Sequence, residues 1–475
     1  MQTLVENKSL LTDLYQLTMM QAYFDDGRAN DSAAFDYFFR KLPFNGGFVV
    51  FAGLDESLNE LVNLKFNKDE LNYLSKLGFS DKFLDYLGNF RFTGDIYSFE
   101  EGSIVFPNEP ILSVRGKLIE CQFVETLLLN ILNFYSLIAT KAARMRIAAG
   151  NKVLSDFGLR RSQGLGGIQA SRASIIGGFD STSNVLAAYK FDLKAVGTMA
   201  HSYIQSYDNE LTAFRKFAQS HPDNCTLLID TYDTLNSGLP NAITIAKELE
   251  EKGLKLNGVR LDSGDLIKLS KQVRKILDEA KLNYVKIVAS NQLDEYAIQE
   301  IIEQKAPIDI FGVGTNLVTG QPDAALDGVY KLSSINNKPS LKLSDTNEKI
   351  TLPGFKQVLR FKDQKGEYIG DAVVLEDEES VNEMILMNEE NSVINTVHHK
   401  SVGMLQPVMK AGVIILKEKT NEGIREKVKE NLTHLKPVFK KLKEPETYQV
   451  GISKKLMELK EILASKYNSR SLIKE

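Results

Sequence analysis

Between Gly150 and about residue 336 the chain alternates short β-branched runs with helical stretches of roughly 12–20 residues, and this rhythm restricts the fold more than any other feature. The runs are KVLSDF, LKAVGT, CTLLIDT, NGVRLD, VKIVAS and DIFGVGT. Segments such as PNAITIAKELEEKG and GDLIKLSKQVRKILDEA lie between them. Strands joined by helical crossovers pair in parallel, so the expected architecture is α/β, with enough units to close into an irregular (β/α) barrel. Each run ends on polar or glycine residues: Asp156, Thr198, Asp230, Asp262, Ser290 with Asn291, and Gly314 with Thr315. Ligands of parallel sheets sit at the carboxyl ends of the strands, so these endings point to one shared pocket at that rim.

The rest of the chain follows other patterns. A helix is expected over about residues 11–24, followed by the strand-like AAFDYFF and FVVFAGL. Between Phe92 and Leu118 short apolar runs are punctuated by Gly94, Gly102, Pro107, Pro110 and Gly116. A long helix is expected from about Glu120 toward Ala149. Beyond residue 336 the βα rhythm stops, and YKLSSI, KQVLRF and AVVLED precede a Lys/Glu-rich stretch that reads as a solvated helix face. A length of 475 residues exceeds what one core usually organises. We divide the chain at 1–135, 136–335 and 336–475, with the middle segment as the catalytic α/β domain.

Composition excludes several function classes. Lys and Arg number 58 against 62 Asp and Glu, a net charge of −4, which lacks the basic excess of a nucleic-acid binder. Cys121 and Cys225 have no CxxC partner, which argues against a disulfide framework and against a cysteine-based zinc site. The start, MQTLVENKSLLTDL, lacks the pattern of a secretory signal. The most apolar stretch, Leu127 to Ile138, is interrupted by Asn130 and Asn133 and flanked by Glu125 and Lys141. It reads as a buried helix, since a membrane span needs about 20 apolar residues. These features predict a soluble, cytoplasmic protein that binds neither nucleic acid nor membrane.

Four motifs carry candidate chemistry, each beside a plainer reading. In FGVGTN, the backbone of Gly312 and Gly314 with the Thr315 hydroxyl suits a terminal phosphate; the plainer reading is a tight turn. In VRLDSGD, strand alternation points Arg260 and Asp262 to the same side. There Asp262 and Asp265 can hold Mg²⁺ or ribose hydroxyls; the plainer reading, that Asp265 caps the next helix while Asp262 pairs with Arg260, can hold at the same time. In SDFGLRRS, Arg160 and Arg161 follow a strand directly and suit a carboxylate or phosphate, although an arginine pair is more often simply solvated. His201, in GTMAHS, follows an expected strand end. A lone histidine is usually structural, but His398, His399 and His434 fall in the tail and His221 in a surface turn. No Ser-His-Asp or Cys-His system presents itself, which makes His201 the candidate nucleophile toward a phosphoryl group.

With those residues the chain resembles the nicotinate phosphoribosyltransferase family. The resemblance runs through LLTDLYQLTM from Leu10, EGSIVFPNEPIL from Glu101, SDFGLRRSQG from Ser155, GGFDSTSNVLA, GTMAHSY and IDTYDTLNSGLPNA. It continues in GVRLDSGDL, VASNQLDE, FGVGTNLVTG, GVYKL, KITLPGFKQVLR and TYQVGIS, and so spans nearly the whole chain. The resemblance implies an irregular α/β barrel plus an open-faced α+β sandwich domain built from both chain ends, in a homodimer with shared active sites. It implies transfer of a phosphoribosyl group from phosphoribosyl diphosphate to nicotinate, with ATP as co-substrate and Mg²⁺ as cofactor. By position, His201 matches the histidine transiently phosphorylated by ATP. Asp156, Arg160 and Arg161 match the nicotinate site, and Tyr15 a ring-stacking residue from the partner subunit. Arg260 and Asp262 match positions near phosphoribosyl diphosphate, and Gly312, Gly314 and Thr315 the 5′-phosphate loop, while Thr198, Ser290 and Asn291 line the same rim. A cysteine-rich zinc knuckle found in some relatives has no cysteines here. The rival expectations are a nicotinamide-specific enzyme, a quinolinate-type enzyme, a phosphosugar isomerase barrel and a non-catalytic phosphosugar sensor.

Overall fold

Five of the six expected β-branched runs pair side by side, and the central ones turn every second residue into a fully buried face. The structure, a computed structural model, describes residues 8–343, 351–387 and 392–471. Two compact units result: Ile138–Ala324, and a second formed by Met1–Leu137 together with Ala325–Glu475.

The Ile138–Ala324 unit is built on a six-stranded sheet in the order Ser181–Thr182, Val153–Asp156, Ile310–Val313, Lys286–Ser290, Gly258–Leu261, Thr226–Leu228. All its ladders are parallel. Val259, Leu261, Ile287, Ala289, Phe311 and Val313 are fully buried. Each large apolar side chain removed from water contributes about 1.5–3 kcal/mol; these alternate positions lie in register and form one apolar face of the sheet, while Arg260, Val288, Ser290 and Gly312 lie on the other. One expectation needs correction. LKAVGT forms no strand, only an isolated bridge between Thr182 and Ala195. Its residues are largely exposed, and it follows the helix Val185–Phe191 through Asp192, whose φ is 52°. The unexpected short strand Ser181–Thr182 takes the sheet edge instead. Among the described residues no ladder joins that edge to Thr226–Leu228, so hydrogen bonding between strands does not by itself close the sheet into a barrel.

Helices of this unit begin where the sequence supplies caps: Asp265 for Leu266–Glu279, Asp294 for Glu295–Glu303 and Asn209 for Glu210–Ser220. Buried Glu295 receives Lys141 at 2.6 Å and Arg144 at 3.0 Å, which ties Glu295–Glu303 to the carboxyl-terminal half of the long helix Glu125–Ala149. That helix is long and apolar enough to cross a membrane, yet 72% of its most apolar window is buried within the protein. A single π-helical turn, Thr234–Gly238, leads into Leu239–Glu250. Gly238 seats this turn on the sheet, where a Cβ would lie 1.9 Å from the Ile229 carbonyl oxygen.

The other unit joins both ends of the chain. Its seven-stranded sheet is antiparallel throughout, and Gly328–Ile335 pairs with Ser32–Phe39 at its centre. A six-stranded sheet is also antiparallel apart from Tyr368–Leu375 beside Val450–Ile452. Within it, buried Arg360 donates to both oxygens of Asp371 at 3.0 and 3.1 Å, and the Tyr448 hydroxyl donates to Asp371 at 3.0 Å. Burial, then the charge of Asp371, pushes the Glu109 carboxyl well above its usual range. The Lys/Glu-rich stretch forms the helix Asn421–His434, with opposite charges three apart on one face and Ile424, Val428 and Leu432 buried on the other.

Because the Ile229 carbonyl is backbone and cannot swing aside, Gly238→Ala is expected to destabilise the protein by about 1–3 kcal/mol. Gly197→Ala, with nothing within 4 Å of its Cβ, should leave stability unchanged. Urea unfolding midpoints of both variants test this, and equal midpoints would contradict the close approach.

Candidate active site

At the carboxyl ends of the parallel strands, Arg260 is the most connected side chain. Its Nε donates to Ser290 Oγ at 3.0 Å, and its Nη1 donates to Thr198 Oγ1 at 2.9 Å and to the Met199 carbonyl at 3.3 Å. Nη2 lies 3.3 Å from Asp262 Oδ1, to which the Ser290 hydroxyl also donates. Alternation along Gly258–Leu261 and the next residue brings Arg260 and Asp262 together as expected. The plainer reading, an Arg260–Asp262 pair, therefore holds within a larger cluster that also contains Thr198 and Ser290.

His201 is the first residue of a five-residue helix, His201–Gln205, and its side chain is 40% exposed. Its Nδ1 lies 3.0 Å from Thr231 Oγ1. Its Nε2 faces Asp262 Oδ2 at 3.8 Å and Asp230 Oδ1 at 4.0 Å, beyond hydrogen-bond range. Asp230 is held in place from its other oxygen, which accepts from the Asp262 backbone N–H at 2.8 Å and from Ser263 Oγ at 2.7 Å. Its Oδ1 is buried with no hydrogen-bond partner among the described residues. Asp230, which the sequence reading placed at the rim without a role, and Thr231, which it did not single out, are thus the immediate surroundings of His201. Their signal was present in the polar ending of CTLLIDT.

Asp265 caps the helix Leu266–Glu279, its Oδ1 accepting from the Lys268 backbone N–H at 3.0 Å. The carboxylate that stands beside Asp262 is Asp230. Among the described residues no group of three or more His, Cys, Asp or Glu side chains converges to hold a metal ion by itself.

The segment after Val153–Asp156 divides into structure and function. Asp156 is fully buried. Its Oδ1 accepts from Gly158 N at 2.8 Å, and its Oδ2 from Ser171 Oγ at 2.8 Å and Thr182 Oγ1 at 2.7 Å. Burial pushes this carboxyl up, against the opposing effect of those hydrogen bonds. Both oxygens of Asp156 thus shape the turn, a structural role the sequence reading did not assign to it. That turn presents Arg160 and Arg161 on the short helix Leu159–Arg161, both exposed and without an ion pair or side-chain hydrogen bond among the described residues. Phe157 packs flat over the neighbouring strand, where a Cβ on Gly312 would sit 2.5 Å from its ring, and the Arg260 guanidinium lies 5.8 Å from its ring centre.

Gly312 is accordingly a glycine that accommodates Phe157, whatever else its backbone contacts. Gly314 is less crowded: a Cβ there would meet only the Phe157 backbone, at 3.5 Å at closest. Thr315, exposed, opens the short helix Thr315–Val318 beside it. Asn291 and Gln292 follow Ser290 with φ of 91° and 48°, a left-handed pair directly at the rim. Tyr15 belongs to the other unit, 48% exposed on the helix Leu14–Asp25, with its phenol pushed up by burial and by Glu125.

Comparison with known proteins fits this layout. Residues 10–133 match the nicotinate phosphoribosyltransferase N-terminal domain, residues 153–383 the nicotinate phosphoribosyltransferase family, and residues 355–460 the corresponding C-terminal domain. The chain is 42% identical over 462 residues to the nicotinate phosphoribosyltransferase of Bacillus subtilis, covering 94% of this chain and 93% of that protein. To the human nicotinate phosphoribosyltransferase it is 32% identical, covering 95% of this chain and 96% of that protein. The crystal structure of human nicotinic acid phosphoribosyltransferase superposes with a TM-score of 0.86 at 30% identity, over 95% of this chain and 99% of that one. A nicotinate-nucleotide pyrophosphorylase structure from Pyrococcus furiosus follows at a TM-score of 0.72 and 26% identity, over 91% of this chain and 98% of that one. The similarity covers both units and every strand end of the parallel sheet, and the chain belongs to the nicotinate phosphoribosyltransferase family of enzymes.

Proposed function

We propose that this enzyme transfers the 5-phosphoribosyl group of phosphoribosyl diphosphate to nicotinate, in NAD salvage, and couples the transfer to ATP hydrolysis through phosphorylation of His201. The observation that carries the ATP coupling is the environment of His201. Nδ1 is engaged by Thr231 Oγ1 and Nε2 is turned toward the strand-end carboxylates; in the tautomer in which Nδ1–H donates to Thr231, the Nε2 lone pair is free for attack. Nε2 attacks the γ-phosphorus of ATP, the bond to the ADP oxygen breaks, and water later cleaves the N–P bond to release inorganic phosphate.

A phosphoryl group arriving at Nε2 meets two carboxylates, and this charge asks for a cation. Buried, unpartnered Asp230 Oδ1 together with Asp262 Oδ2 fits Mg²⁺, which needs only one or two carboxylates when phosphate and water oxygens complete its shell. Mg²⁺ bound there with substrate would neutralise phosphate charge.

In the transfer step, the pyridine nitrogen of nicotinate attacks C1 of the ribose and diphosphate leaves. Little proton movement is required, so orientation and charge stabilisation dominate. The unpaired Arg160 and Arg161 favour the nicotinate carboxylate over the neutral amide of nicotinamide. Phe157 offers an aromatic surface beside them, and Gly314, Thr315 and Asn291 form the rim suited to the 5′-phosphate. Phosphate on His201 adds charge and acceptor oxygens that can favour a substrate-ready state.

We further propose a homodimer in the cytoplasm, an irregular barrel completed by the Leu193-to-Thr198 segment, and a sandwich arrangement of the second unit. Exposed apolar side chains support the dimer: Leu11, Leu14 and Tyr15 on one unit, and Val185, Leu186 and Tyr189 on the other, the last 87% exposed.

Replacing Arg160 or Arg161 by Ala is expected to cost about 1.5–3 kcal/mol in nicotinate use, the worth of a hydrogen bond to a charged group. The KM for phosphoribosyl diphosphate should stay unchanged, and wild-type nicotinate kinetics in both variants would remove the carboxylate clamp. For His201, labelled ATP should give an acid-labile, base-stable phosphoprotein. His201→Ala should lose the label and the coupled hydrolysis while retaining slow, ATP-indifferent transfer with raised KM values. A folded His201→Ala enzyme that still hydrolyses ATP in step with product would refute the assignment.

A further inference from the structure

Glu210 is a buried carboxylate that neither the transfer nor the phosphorylation uses. It opens the helix Glu210–Ser220 and is 4% exposed. Helix capping does not explain it, because Asn209 caps that helix by accepting from Thr212 N at 2.9 Å. Among the described residues it has no cationic partner. Its Oε2 accepts from Ser237 Oγ at 2.6 Å and from Asn241 Nδ2 at 2.9 Å, and its Oε1 is buried without a hydrogen bond. A carboxylate removed from water and held only by neutral donors is costly to the fold, so its position calls for a reason beyond stability.

That reason lies in what it joins. One chain segment runs from His201 to Glu210, and a second from Asp230 and Thr231 to Ser237 and Asn241. They meet at one end through His201 Nδ1 and Thr231 Oγ1, 3.0 Å apart, and at the other through Glu210. Between its two ends the first segment buries only Ile204. The second passes through the π-helical turn Thr234–Gly238, which Gly238 presses onto Ile229, next to Asp230. Single π-turns are uncommon and concentrate at functional sites. The far end of the His201 segment is therefore pinned to a turn that is itself fixed against the strand carrying Asp230.

We infer that Glu210 is a positioning residue for His201, pinning the His201 segment to the Thr234–Gly238 turn so that Nε2 stays aligned with the Asp230–Asp262 carboxylates. This inference rests on the reading of His201 as phosphoryl acceptor. It separates the two half-reactions: loosening Glu210 misaligns the acceptor and leaves C1 displacement intact.

The test uses full-length Glu210→Ala, Glu210→Gln and Ser237→Ala. Three quantities are measured: single-turnover labelling by ATP labelled at the γ-phosphate, ATP hydrolysed per product, and the kcat and KM of transfer without ATP. Glu210→Ala should label about tenfold more slowly and hydrolyse less ATP per product, with ATP-independent constants within about twofold of wild type. Glu210→Gln keeps an acceptor oxygen for Ser237 and Asn241 and should label within about threefold of wild type. Ser237→Ala removes one donor from the opposite side and should shift labelling in the same direction as Glu210→Ala, which covers the case in which Glu210→Ala does not fold. Wild-type labelling in Glu210→Ala or in Ser237→Ala overturns the inference. So does an equal loss of ATP-dependent and ATP-independent transfer, which would mark a merely structural role. Label persisting in His201→Ala would overturn the acceptor assignment and this inference together, whereas an unlabelled His201→Ala beside normally labelled Glu210→Ala overturns this inference alone.

Discussion

Arg260 spreads its N–H groups over three chain segments, and the site is organised by that one guanidinium. Thr198 and Met199 come from the irregular stretch before His201, Ser290 from the end of the neighbouring strand, and Asp262 from its own strand end. Hydrogen bonds from a charged donor contribute about 1.5–3 kcal/mol each when formed in such a setting. The stretch from Leu193 to Thr198 has only one β-bridge to the sheet. Side-chain contacts to Arg260 therefore stand in for the missing ladder, and they deliver the chain to His201.

A second constraint is electrostatic. Parallel strands end with their last residues pointing into a common space, and this chain fills that space with carboxylates as well as cations. Asp230 uses one oxygen to hold the Asp262 loop and leaves the other buried and unpaired beside His201. A buried polar atom without a partner is expensive in a resting protein. Such an atom is understandable where substrate, cation or phosphate completes it. The Arg160–Arg161 turn is the complement: positive, exposed and unpaired, on a loop whose shape is fixed from beneath by fully buried Asp156.

The sequence made the strand ends legible because polar residues interrupt apolar runs there, and Arg260, Asp262, Thr198 and Ser290 do come together. It made the roles of individual residues less legible. Asp156 and Asp262 both end a β-branched run, yet one is a buried structural knot and the other is 30% exposed at the rim. The difference lies in Ser171 and Thr182, which reach Asp156 from a helix and an edge strand outside the local pattern. Gly312 reads as a phosphate-binding glycine, and the structure adds a constraint no local pattern shows, the ring of Phe157 packed against it from the neighbouring strand end. Asp265 reads as metal ligand, helix cap or both, and the cap is identified only by the Lys268 N–H that reaches it.

By itself the sequence determined that the middle of the chain is a parallel sheet with a polar rim, because strand periodicity and crossover length are local properties. It also determined the family, because ordered motifs span the chain. Tertiary structure decided which polar residues face ligand and which hold the scaffold, because that depends on partners far away in sequence. It also decided that LKAVGT would not pair as a strand, that Asp230 and Thr231 would flank His201, and that Glu210 would reach Ser237 and Asn241. Hydrogen-bond partners 15 to 62 residues apart are fixed by packing, and no local pattern encodes them.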